Sequence, residues 1–283
     1  FFRKQYFYPD MSKGFQISQY DKAGGIPFAM GGCIAIRMAG GEKLVNIRRV
    51  QLEEDPARLV HSSSHGGEVT LVDYNRSGIA LVEIVTEPDL RSPREARLFL
   101  QKVQSILEHL EVTDSALEGS MRCDANISVS GGSRVEVKNI SSYKGVEKAL
   151  MFEITSQRNV LRRGLAVERE TRHFLETRGV TTSARSKEEE HDYRYFPEPD
   201  LPPLVLDEAF VERVRASLPE LPRARARRYQ EALGLSAYDA ALLVAERAVG
   251  KRLEGPRFRE IAERAVESTL PRSPFASGLE KTS

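Results

Sequence analysis

The chain has 283 residues, of which 40% are hydrophobic and 29% are charged, and its 42 basic and 41 acidic residues leave a net charge of +1. This balance excludes an overall positive field that attracts nucleic acid, so any such contact has to come from a local patch. Cys33 and Cys123 lack metal-site spacing, and so few cysteines suit the reducing cytoplasm. No apolar run approaches the roughly 18 residues that a membrane span needs. The chain opens on Phe1, and we expect it to be a piece of a longer protein.

Alternating patterns predict strands in the first part of the chain. A strand is expected over residues 33–38, followed by a hairpin turn at Gly40-Gly41. The next strand runs as far as Glu54, which shares its parity with Val50 and Leu52 and so continues an apolar face. The polar, glycine-rich stretch 62–68 predicts a loop.

The stretch VDYNRSGIALVEIVTEPD, residues 72–89, contains the most apolar predicted strand. Both parities are apolar around Glu83, which predicts a strand that is covered on both sides. Glu83 would then lie in the middle of a buried strand. Because an unpaired buried carboxylate is costly, we expect it to be protonated, paired with a base or bound to a metal.

Two helices and a hairpin follow. The start of the first helix is predicted by Ser92 as N-cap, followed by Pro93 and Glu95. An apolar stripe predicts a second helix over about 144–163. Between them, alternation predicts two strands that turn at Gly131-Gly132. One face of this hairpin is polar, and it is either a solvated surface with weak salt bridges or a functional surface. Its residues are Arg122, Asp124, Asn126, Arg134, Glu136 and Lys138.

The composition changes near residue 206. Residues 195–203 are rich in proline, which predicts an ordered loop or a domain edge rather than a central strand. From Asp207 onward helix formers dominate, with a basic run over residues 223–228. We therefore expect one domain over 1–206 and a separate helical domain over 207–283.

Three acidic residues lie on three of the predicted strands: Glu54, Glu83 and Asp124. Carboxylates suit a hard cation such as Mg²⁺, which commonly bridges to phosphate. Arg122 and Lys138 on the polar face of the hairpin are suited to nucleotide phosphates. Because the chain has no Walker-type glycine loop, a phosphoryl-transfer site here would depend on carboxylates of a sheet.

Six long motifs occur together in the chain: YFYPDMSKGFQISQYD, LEEDPARL, VDYNRSGIALVEIVTEPDLRSPREA, EGSMRCDANIS, EVKNISSYKGVEKAL and DYRYFPEPDLPPL. In this order they resemble the GatB/GatE family, the B subunits of tRNA-dependent amidotransferases. The resemblance covers about residues 3–245. Several long motifs in the same order are far more specific than one short pattern.

The resemblance implies an α+β fold, with a mostly antiparallel "cradle" domain followed by a helical tRNA-binding domain. It implies an ATP-dependent ligase whose B subunit phosphorylates the side-chain carboxylate of Glu-tRNA(Gln) or Asp-tRNA(Asn) with ATP and Mg²⁺. Ammonia from an A-type amidase subunit then displaces the phosphate, and a small C-type subunit completes the complex.

The acidic motif positions indicate the site residues. The expected catalytic residues are Glu54, Glu83 and Asp124, and the expected metal ligands are the same three with Glu53. The expected nucleotide-binding residues are Arg122, Glu136 and Lys138. The family also carries an N-terminal strand with a Glu and a His that complete the metal site. This chain begins after that strand and ends early in the helical domain, so we expect it to be inactive alone.

Two alternatives stay open. The first is the archaeal E-type subunit, because E-type sequences share the segments RGVTT and KNISSYKGVEKAL with this chain. Against it, residues 179–192 leave no room for the domain that E-type chains insert. The second is a non-catalytic scaffold that binds tRNA through the arginines of residues 223–228.

Overall fold

The computed structural model describes residues 1–5, 13–20, 23–64, 67–114, 117, 119–186 and 194–245. Helices and largely antiparallel sheets occur together in these residues, which confirms the α+β class. No helix within these ranges is both long enough and apolar enough to span a membrane.

The first sheet is built around one long strand. Its strands are β1 (Phe2–Gln5), β2 (Phe15–Ser18), β3 (Ala29–Met30), β4 (Cys33–Met38), β5 (Gly41–Glu54), β8 (Ala80–Thr86) and β13 (Phe196–Pro197). Their order is β13-β1-β2-β5-β3, and β4 and β8 also pair with β5. The hairpin predicted at Gly40-Gly41 is confirmed, since Met38 pairs with Gly41. The proline-rich segment contributes the short strand β13 at the edge of the sheet, so it is not a central strand, as predicted, but the edge strand itself was not predicted.

The loop predicted over residues 62–68 is wrong at residues 62–64 and 67–68, which lie in strands, and residues 65 and 66 lie outside the described residues. β6 (Arg58–Ser64) and β7 (Gly67–Asp73) form an antiparallel two-stranded ribbon, in which Ser62 pairs with Val69 and Ser63 with Glu68. A ladder needs only backbone donors and acceptors, so serine-rich residues form it without the apolar alternation that marks a half-buried strand.

The second sheet has the order β12-β11-β10-β9. The predicted hairpin is confirmed as β9 (Cys123–Ile127) and β10 (Val135–Ile140), which pair antiparallel. β11 (Glu170–Leu175) adds in parallel to β10, and β12 (Val180–Ser186) pairs antiparallel with β11. These last two strands were not predicted, because their sequence is polar and has little apolar alternation.

Both predicted helices are present. α1 (Pro93–His109) begins after Ser92, whose Oγ accepts the Glu95 N–H at 3.3 Å, and the Glu95 carboxylate accepts the Arg91 N–H at 2.8 Å. α2 (Tyr143–Arg162) packs on the second sheet. The core between α2 and this sheet contains Ala125, Val135, Val137, Ile140, Val146, Ala149, Leu150 and Phe174.

The N-cap of α2 gives a stability prediction. Ser142 Oγ accepts the Gly145 N–H at 2.9 Å, which satisfies one of the donors that a helix start leaves without a partner. We expect Ser142→Ala to lower the free energy of unfolding by about 1 kcal/mol in chemical denaturation. Ser130→Ala, on an exposed turn, is the control and should change it by less than about 0.5 kcal/mol. Equal effects of the two changes would contradict the assignment of the cap.

The chain divides into two compact units. The first contains Phe1–Lys102 and Met121–Val211, and the second contains Val103–Ser120 and Glu212–Ser283. Helices α3 (Glu208–Ser217), α4 (Pro222–Leu233) and α5 (Ala237–Leu243) follow the strands, as the change in composition predicts. In the second unit Tyr229, Ala240 and Val244 form a small core. A domain boundary at residue 206 stays a prediction.

Candidate carboxylate site on the first sheet

Glu83 lies on β8, as predicted, but the burial predicted for it is wrong. Glu83 itself is exposed, and Val82 beside it is 44% exposed. Among the strands that the structure describes, β8 hydrogen-bonds only to β5. The apolar residues on both sides of β8 therefore belong to a strand that is partly exposed to solvent, and they do not enclose the Glu83 carboxylate.

The register of the sheet separates the acidic residues into two faces. Glu83 pairs with Gln51, and because residues alternate along β5, Glu53 shares that face. Glu54 pairs with Ala80, so it lies on the opposite face. Glu53 and Glu83 are therefore neighbours by register, whereas Glu54 and Glu83 are not.

A row of hydrogen bonds holds Glu53 on its face. The Arg49 guanidinium donates to Gln51 Oε1 at 3.0 Å, and Gln51 Nε2 donates to Glu53 Oε1 at 3.3 Å. Ser18 Oγ donates to the same oxygen at 3.1 Å from the neighbouring strand β2. Gln51 is 2% exposed and Ser18 is fully buried, so this row is largely shielded from water.

Glu54 has two close contacts on the other face. Lys13 Nζ lies 2.5 Å from Glu54 Oε2, and the Ile17 N–H donates to Oε1 at 2.8 Å. The Glu54 side chain is only 12% exposed. Its carboxylate is thus largely shielded from water and paired with a base, which offsets the cost of taking the charge out of water.

The same face carries a second ion pair, between Arg3 of β1 and Glu198, just after β13. The Arg3 guanidinium donates two hydrogen bonds of 2.6 Å to a Glu198 side chain that is fully buried. These hydrogen bonds from Arg3 hold the pKa of Glu198 below its usual range. The pair therefore fixes the segment around β13 to the edge of the sheet.

This pair predicts a pH-dependent loss of stability. A carboxylate whose pKa is lowered by folding stabilises the protein above its unfolded pKa, and that stabilisation is lost as the pH falls through the folded pKa. We expect Glu198→Gln to cost about 2 kcal/mol of unfolding free energy at pH 7, and the difference from the wild type to shrink as the solution is acidified below about pH 4.

Denaturation at several pH values measures this difference. Glu87→Gln is the matched control, because Glu87 also accepts two hydrogen bonds from an arginine, Arg48, but at an exposed position. Its effect should be clearly smaller, since water screens an exposed pair. A pH-independent effect of Glu198→Gln would show that the charge of the pair does not contribute.

Asp124 lies in the second sheet, on β9. Lys138 Nζ is 3.4 Å from Asp124 Oδ2 and 3.8 Å from Glu136 Oε1, and both Lys138 and Asp124 are about half exposed. Thr171 Oγ1 also donates to Glu136 at 3.3 Å, and Arg122 is exposed. These contacts are those of a solvated face with cross-strand ion pairs, which is one of the two interpretations that the sequence leaves open. Nucleotide binding by Arg122, Glu136 and Lys138 stays a prediction.

The oxygen ligands partly fit a divalent cation. Mg²⁺ in proteins commonly takes one or two carboxylates and completes its shell with waters and phosphate oxygens. Glu53 and Glu83 on one face match that pattern. In the described ranges no three His, Cys, Asp or Glu side chains are grouped to hold a metal, so the four predicted ligands do not form one cluster there.

The site also contains residues that the sequence did not indicate: Lys13, Ser18, Gln51 and Glu198. For Lys13, Ser18 and Glu198 the signal was weak, because the partner of each lies far away in the sequence. Arg3 and Glu198, for example, are 195 positions apart.

The arginines of α4 do not all face solvent. Arg225 is buried, and its guanidinium lies 3.2 Å from Glu220. Arg228 is also paired with Glu220, at 2.6 Å. Because one glutamate neutralises part of this run, it is not a uniformly basic surface.

Comparison with known proteins gives the family. Residues 1–212 match the family model described as the GatB/GatE catalytic domain. The chain is 61% identical over 244 residues to the B subunit of the aspartyl/glutamyl-tRNA(Asn/Gln) amidotransferase of Methanospirillum hungatei, covering 86% of this chain and 50% of that protein. It is 56% identical over 257 residues to the protein of the same name from Methanoregula boonei, covering 90% and 52%.

A third relative shows the same extent of similarity. The protein of that name from Moorella thermoacetica is 51% identical over 254 residues, covering 87% of this chain and 52% of that protein. The chain thus spans about half the length of the curated relatives it matches. Since the family model matches more than half of the chain, the chain belongs to the GatB/GatE catalytic-domain family.

Proposed function

We propose that the protein containing this chain is the kinase subunit of a tRNA-dependent amidotransferase. The observation that carries the proposal is the match of residues 1–212 to a catalytic-domain model, together with relatives named as the B subunit of an amidotransferase at 51–61% identity. Its substrates would be Glu-tRNA(Gln), Asp-tRNA(Asn) or both. Its partners would be an A-type amidase subunit and a small C-type subunit, in the cytoplasm.

The proposed reaction activates a poor electrophile. A side-chain carboxylate oxygen of the esterified amino acid attacks the γ-phosphorus of ATP, and ADP leaves. Ammonia then adds to the acyl carbon of the resulting acyl phosphate, and inorganic phosphate leaves with the former carboxylate oxygen. The product is an amide on the same tRNA.

The carboxylates of the first sheet are the proposed centre of the kinase site. Glu83 and Glu53, which share a face of the sheet, would hold Mg²⁺. Glu54 on the opposite face and Asp124 on the second sheet are proposed as ligands from the family resemblance alone. When bound, Mg²⁺ neutralises charge between the substrate carboxylate and the phosphates, which otherwise repel each other. Arg122, Glu136 and Lys138 are proposed to contact ATP.

ADP release tests this proposal. The full-length protein, assembled with its partner subunits, is incubated with ATP and either charged tRNA in the absence of glutamine and ammonia. We expect ADP to form only when Glu-tRNA(Gln) or Asp-tRNA(Asn) is present, and the comparison of the two identifies the substrate. ADP formation that does not depend on a charged tRNA would contradict a kinase of this type.

The scaffold alternative gives a different result. It predicts that the protein binds tRNA with a strong dependence on salt and that no change at Glu83 affects the reaction. The partial neutralisation of the α4 arginines by Glu220 argues against it.

A further inference from the structure

A β-bulge in β5 decides which face of the first sheet carries Glu83. Val85 and Thr86 are consecutive on β8, whereas their partners on β5 are two positions apart, at residues 49 and 47. The strand β5 therefore has one residue more than β8 at this point of the ladder. Such a bulge shifts the pairing by one residue, and a shift of one residue exchanges the two faces of a strand.

The competing arrangement is the same ladder without the bulge. Each residue of β8 would then move one position along β5, and Glu83 would lie opposite Val50 instead of Gln51. It would share a face with Glu54 and no longer with Glu53. Apolar packing does not decide between the two registers, because β8 is apolar at both parities and partly exposed at both. Other contacts have to hold the register that contains the bulge.

Asp55 fastens the turn before β8 to the end of β5. Its N–H donates to the Ile79 carbonyl at 2.8 Å, and its own carbonyl accepts the Gly78 N–H at 2.9 Å. Its carboxylate lies 3.0 Å from the Arg76 guanidinium, and the Asp55 side chain is 1% exposed. Without the bulge, Asp55 would lie opposite residue 78, and the turn would move by one residue, which is about 3.3 Å. That movement would separate the two charges, so the ion pair favours the bulged register.

The other end of the ladder is held as well. The Glu87 N–H donates to the Asn46 carbonyl at 2.8 Å, and the Asp89 carboxylate accepts the N–H and the Nδ2 group of Asn46 at 2.8 and 2.9 Å. These contacts fix the pairing on one side of the bulge, and the contacts of Asp55 fix it on the other. Because the pairing at the two ends differs by one residue, the ladder satisfies both only if it keeps the bulge.

We propose that Asp55 and Arg76 are positioning residues that hold the register of β8, an inference that rests on the proposed function and its use of Glu83. The ion pair keeps Glu83 on the face of the sheet that carries Glu53. Bulges are frequent next to active sites, where they redirect a side chain. Loss of the pair releases the bulge, and part of the molecules then carry Glu83 on the opposite face.

Disulfide cross-linking measures the register in the full-length subunit. Leu52→Cys with Val82→Cys places two cysteines opposite each other in the observed register. Leu52→Cys with Leu81→Cys does the same in the shifted register. Each pair is combined with the double change Asp55→Asn and Arg76→Met, which removes both charges and leaves neither of them buried alone. After mild oxidation, the cross-linked peptides are identified by mass spectrometry.

The double change should alter the register and the turnover together. We expect the yield of the 52–82 disulfide to fall at least about threefold and the 52–81 disulfide to replace it. Without the added cysteines, the kcat of the complex should fall by the same factor, because only molecules in the observed register are active. The KM for charged tRNA should not change. Arg76→Lys keeps a cation beside Asp55, so the yields and kcat should stay within about twofold of the wild type.

Arg97→Met with Glu147→Gln is the matched control. This ion pair measures 2.9 Å, and the side chains of Arg97 and Arg76 are both 29% exposed, but it joins α1 to α2 rather than β5 to β8. We expect neither the disulfide yields nor kcat to change by more than about twofold. If the double change of Asp55 and Arg76 prevents folding, Asp55→Asn alone is measured in the same way.

Three results would overturn the proposal. One is a 52–82 yield within twofold of the wild type, with no 52–81 disulfide. Another is a lower kcat without any change in register. The third is a loss of both disulfides together with thermal stability, which is the mark of a purely structural role.

The proposed function fails separately. In that case charged tRNA would not stimulate ADP formation in any variant, while the disulfides would still report the register. If Glu83→Gln lowers kcat but the double change keeps the wild-type disulfides and kcat, only the role of Asp55 and Arg76 is wrong.

Discussion

Glu83→Gln is expected to lower kcat for amidation by at least about 100-fold in the full-length complex. Glutamine keeps the size of the side chain but removes the negative charge that would hold Mg²⁺ in the proposed site. Because Glu83 is exposed on β8, the change leaves no buried charge unpaired, and the stability of the subunit should hardly change. The measurement is single-turnover amidation of Glu-tRNA(Gln), with tRNA binding followed in parallel.

Two further variants locate the site more closely. Glu53 shares the face of Glu83 by register, and Glu54 lies on the other face with Lys13. Glu53→Gln and Glu54→Gln therefore show which face contributes to phosphoryl transfer. Glu87→Gln, close to the end of the same strand, is the control and should retain the wild-type rate. Full activity of Glu83→Gln would remove Glu83 from the site.

Glu153→Ala is expected to lower the free energy of unfolding by about 3–5 kcal/mol. Glu153 lies on α2 and is 1% exposed. Arg172 Nε is 3.0 Å from its carboxylate, Gln157 Nε2 donates to it at 3.2 Å, and Thr181 Oγ1 also donates to it. Alanine would leave the buried Gln157 and Thr181 without this acceptor, although Arg172 keeps Glu170 and Thr181 as acceptors, and an unsatisfied buried polar group is costly.

Chemical denaturation of the chain measures this cost. Glu147→Ala on the same helix is the control, since its 2.9 Å pair with Arg97 is more exposed, and it should cost less than about 1 kcal/mol. The double change Glu153→Leu with Arg172→Met should recover part of the loss, because it removes both charges from the interior. A loss below about 1 kcal/mol for Glu153→Ala would show that water replaces the missing carboxylate.

The sequence predicted those elements whose signals are local. The turn at Gly40-Gly41, the hairpin of β9 and β10 and the start of α1 at Ser92 follow from residues within a few positions of one another. The ribbon of β6 and β7 and the pair of β11 and β12 were missed, because polar strands carry little periodic signal. Their stability depends on pairing partners rather than on a pattern within each strand.

The candidate site was predicted only in part, because the strand positions of its residues have local signals but their contacts depend on pairing between strands. Parity placed Glu54 and Glu83 on strands, and both are there. Parity within one strand does not give the register between two, however, and the register puts them on opposite faces. It also does not show whether both faces are covered, which is why Glu83 was expected to be buried. The pairs of Lys13 with Glu54 and of Arg3 with Glu198 join distant parts of the chain, so no local pattern indicates them.

The transfer of an isotope label tests the proposed chemistry most directly. The side-chain carboxylate of Glu-tRNA(Gln) is labelled with ¹⁸O, and the full-length complex amidates it with ATP and ammonia. If the carboxylate is phosphorylated before ammonia attacks, each inorganic phosphate formed carries one ¹⁸O, and Glu83→Gln lowers its rate of formation together with that of the amide. Unlabelled phosphate from the wild-type complex would contradict an acyl phosphate and therefore the kinase function proposed for this chain.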